Sequence, residues 1–303
     1  MAAGLAVHRL AAARPPPPPP DGVTWLAGQR RVLAKIARTP SFALMVFQGA
    51  CCTVPWKALS FLTFFFQLSG FSDLQAGQIL LIGGIGGAVG GVVGGALGDA
   101  SAKYCGKPSR CFVAQTSVVL GIAVFVWLMS IPSGEKSLLL VMAAFFLFEA
   151  VSCWTPAAAL RPISGEVFRR SHDRALVMAL CLSIDGVVSS FLGAPLVGAL
   201  SEIFGYRLQR QLGAAPIAAE QEQNRRALQR ALLAVSIIPW AICACAWLPM
   251  YWAYPRDAEK AEREEGDAGG GPAADKIGYG CAEAADPLSP VSYELKRLVT
   301  LGC

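Results

Sequence analysis

Three charged residues lie near the middle of otherwise uncharged, apolar stretches: Lys57, Glu149 and Asp185. A charged group at the centre of a bilayer costs on the order of 2.5–3.5 kcal/mol on insertion scales, so it is expected to face protein or a water-filled cavity. Membrane carboxylates often take part in proton relays, and we predict a proton site at Asp185 or Glu149. Lys57 would bind an anionic group or pair with one carboxylate. The alternative is an internal ion pair that only fixes helix packing.

The stretch from Gly83 to Gly98 is a second feature with a defined physical role, because nine of its sixteen residues are glycine. In water so many glycines would melt a helix. In lipid the helix is enforced, since unpaired backbone groups are costly there, and small residues let a neighbouring helix approach closely. Helix packing is predicted along Gly83, Gly87, Gly91 and Gly95, and along the parallel row Gly86, Gly90, Gly94 and Gly98.

Six long apolar runs are the elements that must position these residues. The chain has 54% hydrophobic and 16% charged residues and a mean hydropathy of +0.47, which is typical of a protein embedded in the lipid bilayer. About 20 apolar residues suffice to cross the hydrocarbon. We therefore predict an all-α, polytopic membrane protein with six transmembrane helices. The runs are 41–68, 75–98, 111–132, 137–160, 175–201 and 231–254.

The chain divides into four parts by composition. Residues 1–22 contain six consecutive prolines and are predicted to be disordered, 23–39 to form an amphipathic cytoplasmic helix, 40–255 to hold the six spans, and 256–303 to be a disordered cytoplasmic tail. Lys and Arg gather before the first run and after the second and fourth, which predicts that both termini are cytoplasmic. The connection between the fifth and sixth runs is also rich in arginine and does not fit this rule.

Composition argues against several partners. The basic residues lie between apolar runs without a nucleic-acid-binding motif, so no nucleic acid is expected. Only two histidines occur, and no metal site or cofactor is expected. The cysteines within the runs should behave as small hydrophobes; they are Cys51, Cys52, Cys153, Cys181, Cys243 and Cys245.

Three segments of the sequence resemble a known family. The segment Gly95-Ala96-Leu97-Gly98-Asp99, with Lys103, Gly106, Lys107 and Arg110 after it, resembles the signature between the second and third helices of a major facilitator superfamily half. The family usually places its glycine three residues after the aspartate, whereas Gly106 comes seven after Asp99. The segments TPSFALMVFQGACCTVPWKALSFLTFFF and SSFLGAPLVGALSEIFGY resemble the seventh and eleventh helices of spinster-like members from plants and algae.

This resemblance covers residues 25–255 and implies half of a major facilitator fold, made of two inverted three-helix repeats. A short internal repeat agrees with it, since Gly95-Ala96-Leu97-Gly98-Asp99 is similar to Gly198-Ala199-Leu200-Ser201-Glu202, three runs later. The first half of the usual transporter is not in this sequence. We expect it to come from a homodimer partner, a second six-helix half or a longer native chain.

The resemblance implies transport of a small organic solute, lipid-like or anionic, by proton-coupled alternating access. It places Lys57 and Glu149 on cavity-lining helices and Asp185 on a flanking helix. It also implies a cytoplasmic gate at which Asp99 joins Lys103, Lys107 or Arg110 in a network that breaks on opening, with Arg161 and Glu166 as further candidates. The alternative for these residues is an ordinary solvated turn.

Three rival classes can be compared with the residues. An intramembrane serine protease needs a histidine within a helix, and both His8 and His172 lie outside the runs, so the chain is not expected to be an enzyme. A nucleotide-driven transporter needs a phosphate-binding loop, which Gly106-Lys107-Pro108 does not match. A non-transporting scaffold or assembly subunit remains the alternative to a transporter.

Overall fold

The computed structural model describes residues 30, 32–132, 137–207 and 218–268. Within these ranges the chain forms helices and turns without a strand, and six helices are long and apolar enough to cross a membrane. The predicted class, an all-α, multi-pass membrane protein, is confirmed. The helices are α1 (Pro40–Leu68), α2 (Asp73–Cys105), α3 (Ser109–Ser130), α4 (Leu138–Val167), α5 (Ser171–Ile203) and α6 (Ala218–Ala268).

Helix α2 shows how local sequence sets the boundaries. It begins at a capping box, in which the Ser72 hydroxyl accepts the Gln75 N–H at 3.2 Å and the Gln75 side chain accepts the Ser72 N–H at 2.8 Å. It ends at Gly106, whose φ of +83° suits glycine. Asp99 and Lys103 therefore lie in the last turns of α2, and the connection to α3 is shorter than the sequence indicated.

Two spans are interrupted near a proline. In α1, Pro55 is followed by a 3₁₀ turn at Leu59–Phe61, and in α4 a π-helical turn begins at Pro156 and ends at Leu160. A proline removes one backbone donor, so the ladder of hydrogen bonds changes its spacing at these points. The regular helix continues through Pro195 in α5 and through Pro239 and Pro249 in α6.

The six helices pack in a definite order of neighbours. We call the end where α1, α3 and α5 begin the proximal end, and the opposite end the distal end. Helix α1 packs mainly against α5 and α6, and α4 packs mainly against α2 and α3. Helix α3 also contacts α6, α5 contacts α6, and α2 contacts α3. Exchange of α1–α3 with α4–α6 leaves this pattern of principal neighbours unchanged.

Helix α6 is much longer than a bilayer requires. Its 51 residues extend over about 75 Å, compared with about 30 Å of hydrocarbon. At the distal end its first turns carry amide side chains, which donate to carbonyls at the ends of other helices. Gln229 Nε2 donates to Met129 O at 2.5 Å, and Gln221 Nε2 to Leu68 O at 3.5 Å. These bonds satisfy acceptors that a helix end leaves free.

The proximal end of α6 corrects a prediction. Residues 256–303 are predicted to be disordered, but residues 256–268 continue the last helix. This segment contains Ala, Glu, Lys and Arg, which favour helix, and its acidic side chains pair with basic residues of other helices, as described below. Residues 269–303 lie outside the described part of the chain.

The glycines of α2 pack against α4, along a row that differs in part from the first one predicted. A Cβ on Gly94 would lie 2.5 Å from Trp154 Cα, and one on Gly98 would lie 2.6 Å from Ala158 O. The closely packed row is Gly83 and then Gly86, Gly90, Gly94 and Gly98, all of them buried. Close approach at this row requires glycine, because any side chain would displace α4.

The remaining members of the row Gly83, Gly87, Gly91 and Gly95 are less constrained. A Cβ on Gly95 would make an ordinary contact of 3.6 Å with Ala157, and one on Gly91 would meet nothing within 4 Å. The prediction that Gly91 packs against a neighbouring helix is therefore wrong within this chain. The line of contact follows the buried face of α2, from which Gly91 is turned away.

The N-terminal segment forms a separate unit, residues 1–38. Residues 32–37 are helical, in agreement with part of the amphipathic helix predicted at 23–39. The predicted disordered segment 1–22 and residues 23–29 lie outside the described ranges.

Candidate functional site

Asp185 lies near the middle of α5 and faces α1. A Cβ on Gly49 would lie 2.6 Å from Asp185 Oδ2, so the glycine leaves the space that the carboxylate occupies. Asp185 Oδ1 is buried and has no hydrogen-bond partner among the described residues. Thr53 Oγ1 donates to the Gly49 carbonyl at 3.0 Å and weakly to the Asp185 carbonyl at 3.4 Å. A buried carboxylate oxygen without a partner is suited to hold a proton or to accept a bond from a ligand.

Lys57 lies on the same α1–α5 interface, two turns away from Asp185. A Cβ on Gly193 of α5 would lie 2.6 Å from the Cβ of Lys57, so these two residues are at the same height along the interface. Gly49 and Asp185 are likewise at one height. Eight residues of helix separate the two levels, or about 12 Å along the axis. The Lys57 side chain is exposed and forms no ion pair with any described residue. The internal pair considered for Lys57 is not formed.

Glu149 occupies a similar position on the α2–α4 interface. A Cβ on Gly87 would lie 3.3 Å from Glu149 Oε2 and 3.3 Å from Cys153 Sγ. The Cys153 thiol donates to Glu149 Oε2 at 3.5 Å. Each of the two interfaces, α1–α5 and α2–α4, therefore holds one carboxylate in mid-span, opposite a glycine of the neighbouring helix.

Aromatic rings fill the centre of the chain between these two interfaces. The rings of Trp56 and Phe148 have centroids 5.9 Å apart, and Phe125 and Trp240 pack edge to face with centroids 5.5 Å apart. Consecutive residues on a helix project about 100° apart. Lys57 and Glu149, which follow Trp56 and Phe148 in sequence, therefore project away from this closed aromatic core.

The proximal end carries a network of ion pairs that includes part of the predicted gate. Arg110 Nη1 lies 3.0 Å from Asp99 Oδ1 and donates to the Ala158 carbonyl at 3.2 Å. The Arg110 side chain is 12% exposed, so its guanidinium is held between α2, α3 and α4. This is the pair of Asp99 and Arg110 that the resemblance implies. The finding identifies the partner of Asp99.

Glu166, near the end of α4, is the second acid of this network. It lies 3.8 Å from Arg110 Nε and 3.9 Å from Lys107 Nζ, and its Oε2 accepts the Tyr254 hydroxyl at 2.7 Å. Tyr254, on α6, is fully buried. Glu166 therefore joins α4 to α6 and to the α2–α3 connection.

Lys107 and Arg169 connect the network to the end of α6. Lys107 Nζ lies 2.6 Å from Glu262 Oε1, and Arg169 lies 3.0 Å from Glu262 Oε1 and 2.7 Å from Glu265 Oε2. Its hydrogen bond to Glu265 raises the pKa of Arg169. One carboxylate, Glu262, thus contacts both the α2–α3 and the α4–α5 connections.

Two predicted members of the gate do not join it. Lys103 and Arg161 form no ion pair within the described part of the chain, although Lys103 Nζ lies 6.0 Å from the Tyr104 ring centroid. Sequence reasoning missed Tyr254, Arg169, Glu262 and Glu265. The acids at 262 and 265, three residues apart in a segment of helix-forming residues, were the available signal.

No family model, curated protein or solved structure matches this chain. The membership of a family is therefore not shown.

Proposed function

We propose that this chain is a six-helix half of a solute transporter of the major facilitator type. It would move a small organic solute, lipid-like or anionic, by alternating access together with a second half. The observation that carries this proposal is the order of neighbours described above, which is unchanged when α1–α3 and α4–α6 are exchanged. Two equivalent three-helix units, inserted in opposite directions, would produce such a pattern.

Exposure of the helices supports a role for a second half. In the most apolar part of each span, 17% of α5, 28% of α2 and 28% of α4 is buried inside the chain, compared with 44% for α3 and α6. Glycines on these exposed faces, such as Gly91 on α2 and Gly198 on α5, have nothing within 4 Å of a Cβ. A second half, from another copy or from a longer native chain, would pack closely there.

The mid-span charges support the proposed chemistry. Asp185 Oδ1 has no described partner, and proton exchange at this carboxylate would couple transport to a pH gradient. Lys57 is exposed and unpaired among the described residues, so its ammonium group is available to an anionic head group. Glu149 is the second candidate for proton exchange, although the Cys153 thiol already binds it. Cytoplasmic termini are part of the proposal, on the basis of the basic connections.

The experiment is reconstitution of the purified chain in liposomes with an internal pH dye. A panel of amphipathic organic anions, including lysophospholipids, is added with and without a pH gradient. We expect anion-dependent proton movement to be lost in Asp185→Asn, because an amide cannot exchange a proton as the carboxylate does. Glu202→Gln, on the distal end of the same helix and exposed, is the matched control.

Native mass measurement of the same sample tests the second half. A transporting dimer should have about twice the 31.9 kDa of the chain. If instead Asp185→Asn lowers only stability or partner binding, and no anion moves protons, the scaffold alternative is correct.

A further inference from the structure

The proximal end of α6 contacts three separate parts of the chain. We call residues 255–268 the proximal overhang. Asp257 Oδ2 accepts the N–H of Ser41 at the start of α1, at 2.9 Å. Glu262 and Glu265 pair with Lys107 and Arg169, which lie just before α3 and α5. The overhang therefore meets the beginnings of all three helices that start at this end.

The charge of the overhang suits this position. The N-terminal end of a helix carries a partial positive charge, and carboxylates are stabilised near it. The amides of Gln221 and Gln229 at the opposite end of α6 instead donate to helix C-termini. At the proximal end, α6 thus presents carboxylates where its neighbours begin and have free N–H groups. At the distal end, it presents amide donors where its neighbours end and have free carbonyls. Ala258 is fully buried, as is Tyr254 just before the overhang, so the beginning of the overhang is packed as well as charged.

Lys107 is placed between two acids that belong to different helices. Its Nζ is 2.6 Å from Glu262 on the overhang and 3.9 Å from Glu166 on α4. Glu166 also lies 3.8 Å from Arg110, the partner of Asp99. Without Glu262, the nearest described acid to Lys107 is Glu166, which would then bind Lys107 more closely and Arg110 less. A change at the overhang can therefore reach the Asp99–Arg110 pair through one lysine.

We propose that the proximal overhang is a strap that holds the proximal end closed, with Glu262 as its fastening residue. When the strap is bound, Glu262 holds the α2–α3 and α4–α5 connections together, and Glu166 pairs with Arg110. When the strap is released, both connections can move, and Lys107 competes with Arg110 for Glu166. Its consequence for transport rests on the proposed function, whereas its control of access to the proximal end does not.

Cys111 provides a native reporter of that access. It is fully buried and follows Arg110 directly at the start of α3. The test compares the rate at which N-ethylmaleimide alkylates Cys111 in the full chain and in Glu262→Gln, with the modified peptide quantified by mass spectrometry. Glu259→Gln is the matched control, since Glu259 is exposed on the same overhang and has no ion pair among the described residues.

We expect Glu262→Gln to raise the rate about threefold, which is the scale of two lost surface ion pairs, and Glu259→Gln to leave it unchanged. Raising the salt concentration should increase the rate in the unmodified chain and have less effect in Glu262→Gln, because screening acts on the pair that the variant lacks. Equal rates in the two glutamine variants would overturn the strap. So would a salt response of the same size in the unmodified chain and in Glu262→Gln.

Transport assays separate this proposal from the proposed function. In liposomes, Glu262→Gln should raise the initial rate of anion-dependent proton movement by about twofold, because a weaker closed state opens more often. If Cys111 reacts faster in Glu262→Gln but no anion is transported, the proposed function is contradicted and the strap is supported. If the chain transports but Cys111 reacts at equal rates in both variants, the proposed function is supported and the strap is contradicted.

Discussion

Arg110 lies 3.0 Å from Asp99 and joins the last turns of α2 to the start of α3, and it also contacts Glu166 and the Ala158 carbonyl on α4. The two partners differ in exposure, since the Asp99 side chain is 74% exposed and that of Arg110 is 12% exposed. An ion pair with one exposed member contributes little by itself. The buried guanidinium, however, also donates to a backbone carbonyl, and its loss removes that bond as well.

Arg110→Gln should therefore destabilise the chain more than Asp99→Asn. We expect about 1–3 kcal/mol for the arginine variant, which removes a buried charged donor, and at most about 1 kcal/mol for the aspartate variant. Thermal unfolding in detergent, followed by circular dichroism, measures both. Lys103→Gln is the control, because Lys103 has no ion pair among the described residues and should have no effect. A larger loss for Asp99→Asn than for Arg110→Gln would contradict this account.

The sequence predicts some of this arrangement and not the rest, for reasons of distance along the chain. Asp99 and Arg110 are close in sequence, at the end of one run and the start of the next, so their pairing was foreseeable. Glu262 is 155 residues from Lys107, and nothing local indicates that they meet. The six spans follow from hydropathy alone, since lipid requires each apolar run to satisfy its own backbone. Hydropathy does not indicate where α4 lies, and the position of α4 decides which row of glycines on α2 is in close contact with it.

Gly90 and Gly91 are a matched pair that tests the packing of α2. A Cβ on Gly90 would collide with the backbone carbonyl of Ala150, whereas one on Gly91 would meet nothing. Gly90→Ala should cost about 1–3 kcal/mol, the range for overpacking, because a backbone atom must move. Gly91→Ala should be neutral or slightly stabilising, since alanine favours helix. The midpoint of thermal unfolding should separate the two variants, and equal midpoints would show that α4 does not approach α2 along this row.

Asn224 joins α6 to the segment that follows α5 at the distal end. It is buried, its Oδ1 accepts the N–H of Arg207 at 2.8 Å, and its Nδ2 donates to the Arg207 carbonyl at 3.0 Å. Asn224→Ala removes both hydrogen bonds of a buried amide, so we expect a loss of about 1–3 kcal/mol. Gln223→Ala, next to it and exposed, removes one bond to Gly205 and should cost less than about 1 kcal/mol. Hydrogen exchange of residues 204–207 should rise in Asn224→Ala alone, and an equal rise in both variants would contradict this role of Asn224.

Gly49 tests the position of the Asp185 carboxylate without a change of charge. A Cβ at Gly49 would lie 2.6 Å from Asp185 Oδ2, so Gly49→Ala must displace the carboxylate from its place against α1. The carboxylate can rotate away at small cost in stability, but its access to protons should change. In liposomes we expect the pH dependence of anion-driven proton movement to shift in Gly49→Ala and not in Gly186→Ala, where a Cβ meets nothing within 4 Å. An unshifted profile in Gly49→Ala, together with a normal rate, would place the coupling proton elsewhere, with Glu149 the next residue to neutralise.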